Sequence, residues 1–317
     1  MLAFSSATAL CLSESDLDVV VTGAGGWIGR ATLEMLESVL GGSLTRRVHA
    51  YGSTGRALRL RSGTELECQP LGKLEQLAIG PHLLVHLAYK TREHVALGSR
   101  GYIDANELIS QVVLAHGRRS EVAGIFYPSS GAVYGDNGSL ATDMAENPYG
   151  SMKRRDEERF GSLGHRTENT AVIRVFNLSG PFLNKPELYV LGSIIEDLAR
   201  GGPIRLRADH PVIRSYIHVQ DLVDLAFALM LGLVASPGEP FDTAGEIEIE
   251  VGELAGMAAS LLGSPDVLIQ RPAVPDDAAP DRYVGDGTIM TELVSRYGLC
   301  LSPLERQIVD TADFLCQ

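Results

Sequence analysis

The sequence predicts an α/β protein built on a doubly wound parallel sheet, and three observations carry that prediction. Apolar, β-rich runs alternate with helically spaced segments from Leu17 to Phe176. A glycine-rich turn separates the first of these strands from the first of these helices. The composition, 45% hydrophobic and 21% charged, is that of a globular chain long enough to bury a large core.

Leu17–Thr22 is a strand rich in valine, and Trp27–Leu40 has helical spacing. Val48–Gly52 is the second strand, and Leu83–Ala88, Gly124–Tyr127 and Ala171–Phe176 are later ones. Helical stretches at Tyr102–His116 and Tyr149–Phe160 lie between them. Strands separated by helices imply parallel βαβ units, whose ligands sit outside the carboxyl ends of the strands. Beyond Phe176 the pattern is irregular. A Gly/Pro/Arg-rich segment, Gly201–Pro211, precedes a strand at Tyr216–Val219, a buried helix in the apolar run Leu225–Ala235 and a strand near Pro240–Asp242. A small helix at Val251–Leu262 and a loop at Arg271–Pro280 follow. This reading gives a Rossmann-type dinucleotide-binding domain, residues 1–176 and 213–242, and a smaller interleaved α/β substrate domain, residues 177–212 and 243–317.

A net charge of −13 opposes a surface that tracks nucleic-acid phosphates, but leaves room for a phosphorylated small substrate held by a few arginines. Cys11, Cys68, Cys300 and Cys316 form no C-x-x-C pair and have no histidine at ligand spacing, so no metal site is expected. Scattered thiols suit a reducing cytoplasm. Met1–Leu12 lacks a basic flank, and no apolar run is long enough to span a bilayer, so a cytoplasmic protein is expected.

The turn after the first strand reads Thr22-Gly-Ala-Gly-Gly-Trp-Ile-Gly29. Gly23, Gly26 and Gly29 let the backbone approach a pyrophosphate, with Trp27 and Ile28 opening the helix whose N–H groups would meet it. NAD or NADP is the expected cofactor. After the second strand, Tyr51-Gly-Ser-Thr-Gly-Arg56 has no acidic residue to hold a ribose hydroxyl, and Ser53 and Arg56 favour the 2′-phosphate of NADP.

Tyr149 and Lys153, four residues apart, share one helix face behind Pro148. A neighbouring ammonium lowers a phenol's pKa, which makes Tyr149 a general acid/base. Tyr127-Pro-Ser-Ser-Gly-Ala-Val-Tyr-Gly135 leaves a strand so that Ser130 emerges at its carboxyl end.

Taken in order, the glycine loop, His86-Leu-Ala88, Asn106, the Ser-Ser-Gly-Ala-Val-Tyr-Gly run and Tyr-x-x-x-Lys resemble the extended short-chain dehydrogenase/reductases, especially the nucleotide-sugar epimerase/dehydratase family. The resemblance covers essentially the whole chain. It implies Ser130, Tyr149 and Lys153 as the catalytic triad, with Tyr149, Lys153 and Ala88 also at the cofactor and Ser130 also at the substrate, Asn106 as a buried structural residue and His86 as strand-end packing. Asn177, in Asn-Leu-Ser-Gly-Pro, takes the place of a family residue at the substrate diphosphate. Arg214, in Arg-Ser-Tyr-Ile-His-Val-Gln-Asp221, and Arg282 resemble arginines that reach the same group, and Asp221 is read as a helix cap. The resemblance also implies a homodimer through the two helices at Tyr102–His116 and Tyr149–Phe160, with Ile103, Leu108, Ile109, Val112 and Val113 at the interface or in the core.

Departures from the family pattern narrow the reaction. Where its 4,6-dehydratases place acids, and its GDP-fucose-forming enzymes a cysteine, this chain has Gly131 and Ala132, which do no proton chemistry. Hydride transfer at C4 of a nucleotide-diphosphate sugar remains, as 4-epimerisation or 4-keto reduction. The alternatives are a reductase of a non-nucleotide carbonyl, or a non-catalytic dinucleotide-binding regulator.

Overall fold

The computed structural model describes residues 2–91, 99–135, 138–165 and 168–317. Its centre is an eight-stranded sheet in the order β11-β7-β6-β5-β1-β2-β4-β3, parallel throughout except for the outermost pair. The strands are β1 (Asp18–Thr22), β2 (Val48–Gly52), β3 (Arg56–Arg59), β4 (Glu65–Pro70), β5 (His82–His86), β6 (Val122–Ser130), β7 (Thr170–Val175) and β11 (Phe241–Asp242). β1 and β5 are buried nearly end to end, as parallel strands covered on both faces must be. Helices α2 (Trp27–Leu40), α4 (Ser99–Gly117), α5 (Pro148–Gly161) and α7 (Val219–Met230) cover the sheet. One core joins β1, α2 and α7, and another joins Tyr127, Phe160 and Val113 on the opposite side. The chain runs outward from β1 through β2, then crosses back to β5 and continues the other way. That reversal opens a crevice at the carboxyl ends of β1 and β5, the usual ligand site of such sheets.

A second sheet places β10 (Val212–His218) between β12 (Glu248–Glu250) and β14 (Asp281–Tyr283), with β8 (Asn177–Ser179) also paired to β10. β10, grouped by the sequence reading with the first domain, thus pairs with strands of the second sheet, while β11 sits at the edge of the first. α6 (Val190–Ala199), α8 (Val251–Leu261) and α10 (Leu304–Leu315) build a separate core around Leu254 and Ile308. A two-stranded ribbon, β9 (Ile204–Arg205) with β13 (Ile269–Gln270), completes this half.

Several elements were not anticipated. The N-terminal segment forms α1 (Ser6–Glu14), capped by Ser5 and anchored where Ser5 bonds Asp224 and Tyr297. Short α3 (Leu44–Arg47), the β3–β4 hairpin and α9 (Thr288–Tyr297) also went unread, as did α6 and α10. On α4, Val113 is buried and Leu108 is 62% exposed. Among the described residues, no helix is long and apolar enough to cross a membrane, and no group of three or more potential metal ligands occurs.

Candidate active site

The glycine turn lies in the crevice. Gly23 has φ +69°, and a Cβ there would meet the Leu87 carbonyl carbon at 2.5 Å; one on Gly29 would meet the Gly23 oxygen at the same distance. Only glycine permits this turn to press against the end of β5. Thr22 stitches the two strand ends together: its carbonyl accepts from Leu87 N at 3.0 Å and its hydroxyl from Ala88 N at 3.3 Å. α2 opens at Gly26 with no side-chain cap, so its first N–H groups remain available to an anion. This cradle fits a dinucleotide pyrophosphate, with Gly23, Gly26, Trp27, Ile28 and Gly29 to hold it. The Arg56 guanidinium lies over Gly25, where a Cβ would overlap it, and Ser53 is exposed in the adjoining turn. The Trp27 indole turns away from the loop and donates to the Pro181 carbonyl at 2.8 Å.

Ser130 ends β6, the second strand over from β1, in extended geometry. Its hydroxyl oxygen accepts from Ala132 N at 3.2 Å, leaving its own O–H to donate. Asn147 caps α5 by accepting from Gly150 N at 2.8 Å, and its amide donates to the Ala132 carbonyl at 2.9 Å. One side chain thereby clamps the Ser130 turn to the helix of Tyr149 and Lys153. The far end of that helix is tied to β7 by Arg174, which donates twice to Glu157 at 2.8 Å. Arg174 also donates to the Tyr134 hydroxyl, which in turn donates to Asp242.

Lys153 is buried and donates to the Pro128 carbonyl at 2.8 Å. Burial pulls its pKa down to about 8, against the opposing charges of Asp156 and Glu157. It is therefore an ammonium at neutral pH. His86 is held neutral: burial, then the Lys153 charge, lower its pKa to about 3. It bonds the Thr22 hydroxyl through Nδ1 and packs on Tyr127 and Phe160. Asn106 is fully buried and bonds both the N–H and the carbonyl of Lys90, at 2.8 and 3.1 Å.

A model of the NAD-dependent epimerase/dehydratase family matches residues 19–241, which is more than half of the chain. The chain belongs to that family. A dTDP-4-dehydro-6-deoxy-D-allose reductase from Streptomyces sp. is 26% identical over 298 residues, 87% of this chain and 90% of that protein. A UDP-N-acetylglucosamine 4-epimerase from Methanobrevibacter ruminantium M1 superposes with a TM-score of 0.74 at 18% identity, covering 95% of this chain and 98% of that one. A dTDP-glucose 4,6-dehydratase from Streptomyces venezuelae gives 0.69 at 19% identity, covering 94% and 96%.

The residues expected to hold the family's substrate are engaged within the protein. Asn177 donates to the Ser215 and Tyr283 carbonyls at 3.1 and 3.0 Å, joining strands β8, β10 and β14. Arg214, 15% exposed, pairs with Asp281 at 2.7 Å, and the more exposed Arg282 pairs with Glu248. Asp221 does not cap α7, since His218 does so; it accepts instead from Ser302 N at 2.7 Å, which fixes the start of α10. Sequence reasoning missed Phe176 and Tyr283, which cover Gly131: a Cβ there would lie 2.6 Å from the Phe176 ring and 2.7 Å from the Tyr283 hydroxyl. Their spacing carries no signal, because a fold-level contact between β14 and the β6 turn brings them there.

Proposed function

We propose that the protein is an NADPH-dependent reductase of a nucleotide-diphosphate 4-keto sugar. The observation that supports this reading is the Ser130 turn itself, which Asn147 clamps to α5, the helix of Tyr149 and Lys153, while Gly131 is covered by Phe176 and Tyr283. Hydride and one proton suffice for keto reduction, whereas elimination of water needs acids where these rings stand. A dTDP-4-dehydro-6-deoxy-D-allose reductase matches over 90% of its own length, and Arg56 over the glycine loop suits the 2′-phosphate of NADP.

The nicotinamide supplies the hydride when bound. Lys153 would also hold its ribose, alongside the loop residues and Ala88. Ser130 donates to O4 of the substrate, which fixes the carbonyl. Tyr149 delivers the proton to that oxygen, and the Lys153 ammonium favours the phenolate left behind. Asn177 and Arg214 stand on the second sheet toward the diphosphate, Arg214 by exchanging its Asp281 partner. Arg282 would follow by leaving Glu248.

The test is consumption of NADPH with dTDP-, UDP- and GDP-linked 4-keto-6-deoxy sugars, with the product identified by NMR. Turnover that requires the 4-keto group supports the reading, and failure with every sugar nucleotide overturns it. A second reading, 4-epimerisation, draws on the same triad and the fold match to a 4-epimerase. It predicts NAD that copurifies with the protein. We also propose a cytoplasmic homodimer through α4 and α5, which sedimentation giving only monomer would refute.

A further inference from the structure

Tyr89, in the segment after β5, has no role in that mechanism, yet its ring lies against both residues that carry it. The ring centroid lies 4.1 Å from the Lys153 ammonium. It meets the Tyr149 ring edge-on, 5.8 Å between centroids at 81°. Tyr127 brings a second ring to 4.6 Å from the same ammonium. The ammonium donates to the Pro128 carbonyl and has two aromatic rings beside it, with donor capacity left for a ligand. The Tyr89 hydroxyl is buried without a hydrogen-bond partner among the described residues. Burial raises its pKa, so it remains a neutral phenol. What Tyr89 offers the site is its ring, not a proton.

We propose that Tyr89 is a positioning residue, whose ring keeps the Lys153 ammonium charged and aimed while bracing Tyr149 beside it. The inference rests on Tyr149 and Lys153 being the working pair. The charge balance around the ammonium is set from several elements. Asp156 and Glu157 of α5 act on it directly; it bears in turn on His86 of β5, Tyr127 of β6 lies beside it, and Tyr149 of α5 and Tyr102 of α4 bear on Tyr89. His86 stays neutral, so the carboxylates and the two rings are what favour the charged lysine. A cation over an exposed to desolvated ring gains enough to move a pKa by about half a unit to one and a half units.

The chain has only four lysines, Lys73, Lys90, Lys153 and Lys185, so lysine titration can be followed residue by residue. The experiment is a pH titration of the protein labelled with carbon-13 at lysine Cε, with Lys153→Arg assigning the signal. Tyr89→Phe keeps the ring and should titrate like the parent. Tyr89→Leu should titrate lower by about half a unit or more. If the leucine variant fails to fold, Tyr89→3,4,5-trifluorophenylalanine keeps the shape, weakens the π face and should fall between. A Lys153 midpoint unmoved in the leucine or fluorinated variant overturns the proposal, as does a phenylalanine variant shifted as far as leucine. In turnover, the alkaline limb of kcat should move down with the same midpoint; a purely structural role would lower kcat without moving it. The titration needs no substrate. A shifted midpoint in a protein inactive on every sugar nucleotide would sink the proposed function alone, and an unshifted one in an active enzyme would sink only the role of Tyr89.

Discussion

The Tyr283 hydroxyl stands over Gly131, 2.7 Å from where a side chain at that position would begin. The contact joins the second sheet to the turn that presents Ser130, and it leaves no free space for a side chain at Gly131. Phe176, tilted 45° against Tyr283 at 4.8 Å between centroids, closes the other side.

Gly131→Asp should therefore destabilise the fold rather than create a dehydratase. Forcing a side chain against two packed rings costs about 1–3 kcal/mol. Thermal melting should show the loss, and product analysis should show no elimination of water. A variant with parental melting would mean that the rings do not fill this space.

Tyr149→Phe should lower kcat by roughly 10²–10⁴-fold, the usual share of general acid/base catalysis. Ser130→Ala should cost a comparable factor, about 10²–10³, if its O–H stabilises the developing charge on O4. Both variants should bind NADPH as the parent does, measured by calorimetry. Retained turnover in Tyr149→Phe removes the basis for the enzyme.

Lys153 links activity and stability to pH with opposite signs. Its folded pKa of about 8 lies below the ordinary 10.5, so between these values the unfolded chain binds the extra proton. Stability from this group therefore rises with pH across that window, by about 3 kcal/mol, and is fully lost below it. Activity should fall with a midpoint near the folded value of about 8, as the ammonium is lost. Chemical denaturation of Lys153→Met at several pH values should lack this rise; an unchanged slope would assign it to other groups.

Arg56→Ala should weaken NADPH binding by about 10- to 100-fold, the worth of a charge-assisted contact, and leave NADH binding nearly unchanged. Equal losses for both cofactors would place Arg56 at the pyrophosphate instead.

Asn147→Ala removes a helix cap and the clamp on Ala132 together, and should cost about 1–2 kcal/mol. kcat should fall with it, because Ser130 and Tyr149 lose their shared anchor.

Much of this was legible in the sequence because the physics there is local. Trp27–Leu40 and Val48–Gly52 match the structure residue for residue, and the glycines that press against Leu87 announce themselves by spacing. α1 was hidden because its face is weakly patterned and its stability comes from Asp224 and Tyr297, far along the chain. The β3–β4 hairpin was missed because its strands are short and charged. The rings of Tyr89 and Tyr283 are placed by tertiary packing, which no periodicity encodes. Motif spacing marks Arg214, but its pairing with Asp281 comes from the β10–β14 register, which the local sequence does not encode.

Trp27 is the only tryptophan in the chain. Its indole bonds Pro181 and meets Tyr189 edge-on at 5.3 Å, while its backbone opens α2 behind the glycine turn. The protein thus carries a single strong fluorophore at the seam where its two halves join. Its emission is a native gauge of that seam, readable without any label as ligands arrive from either side.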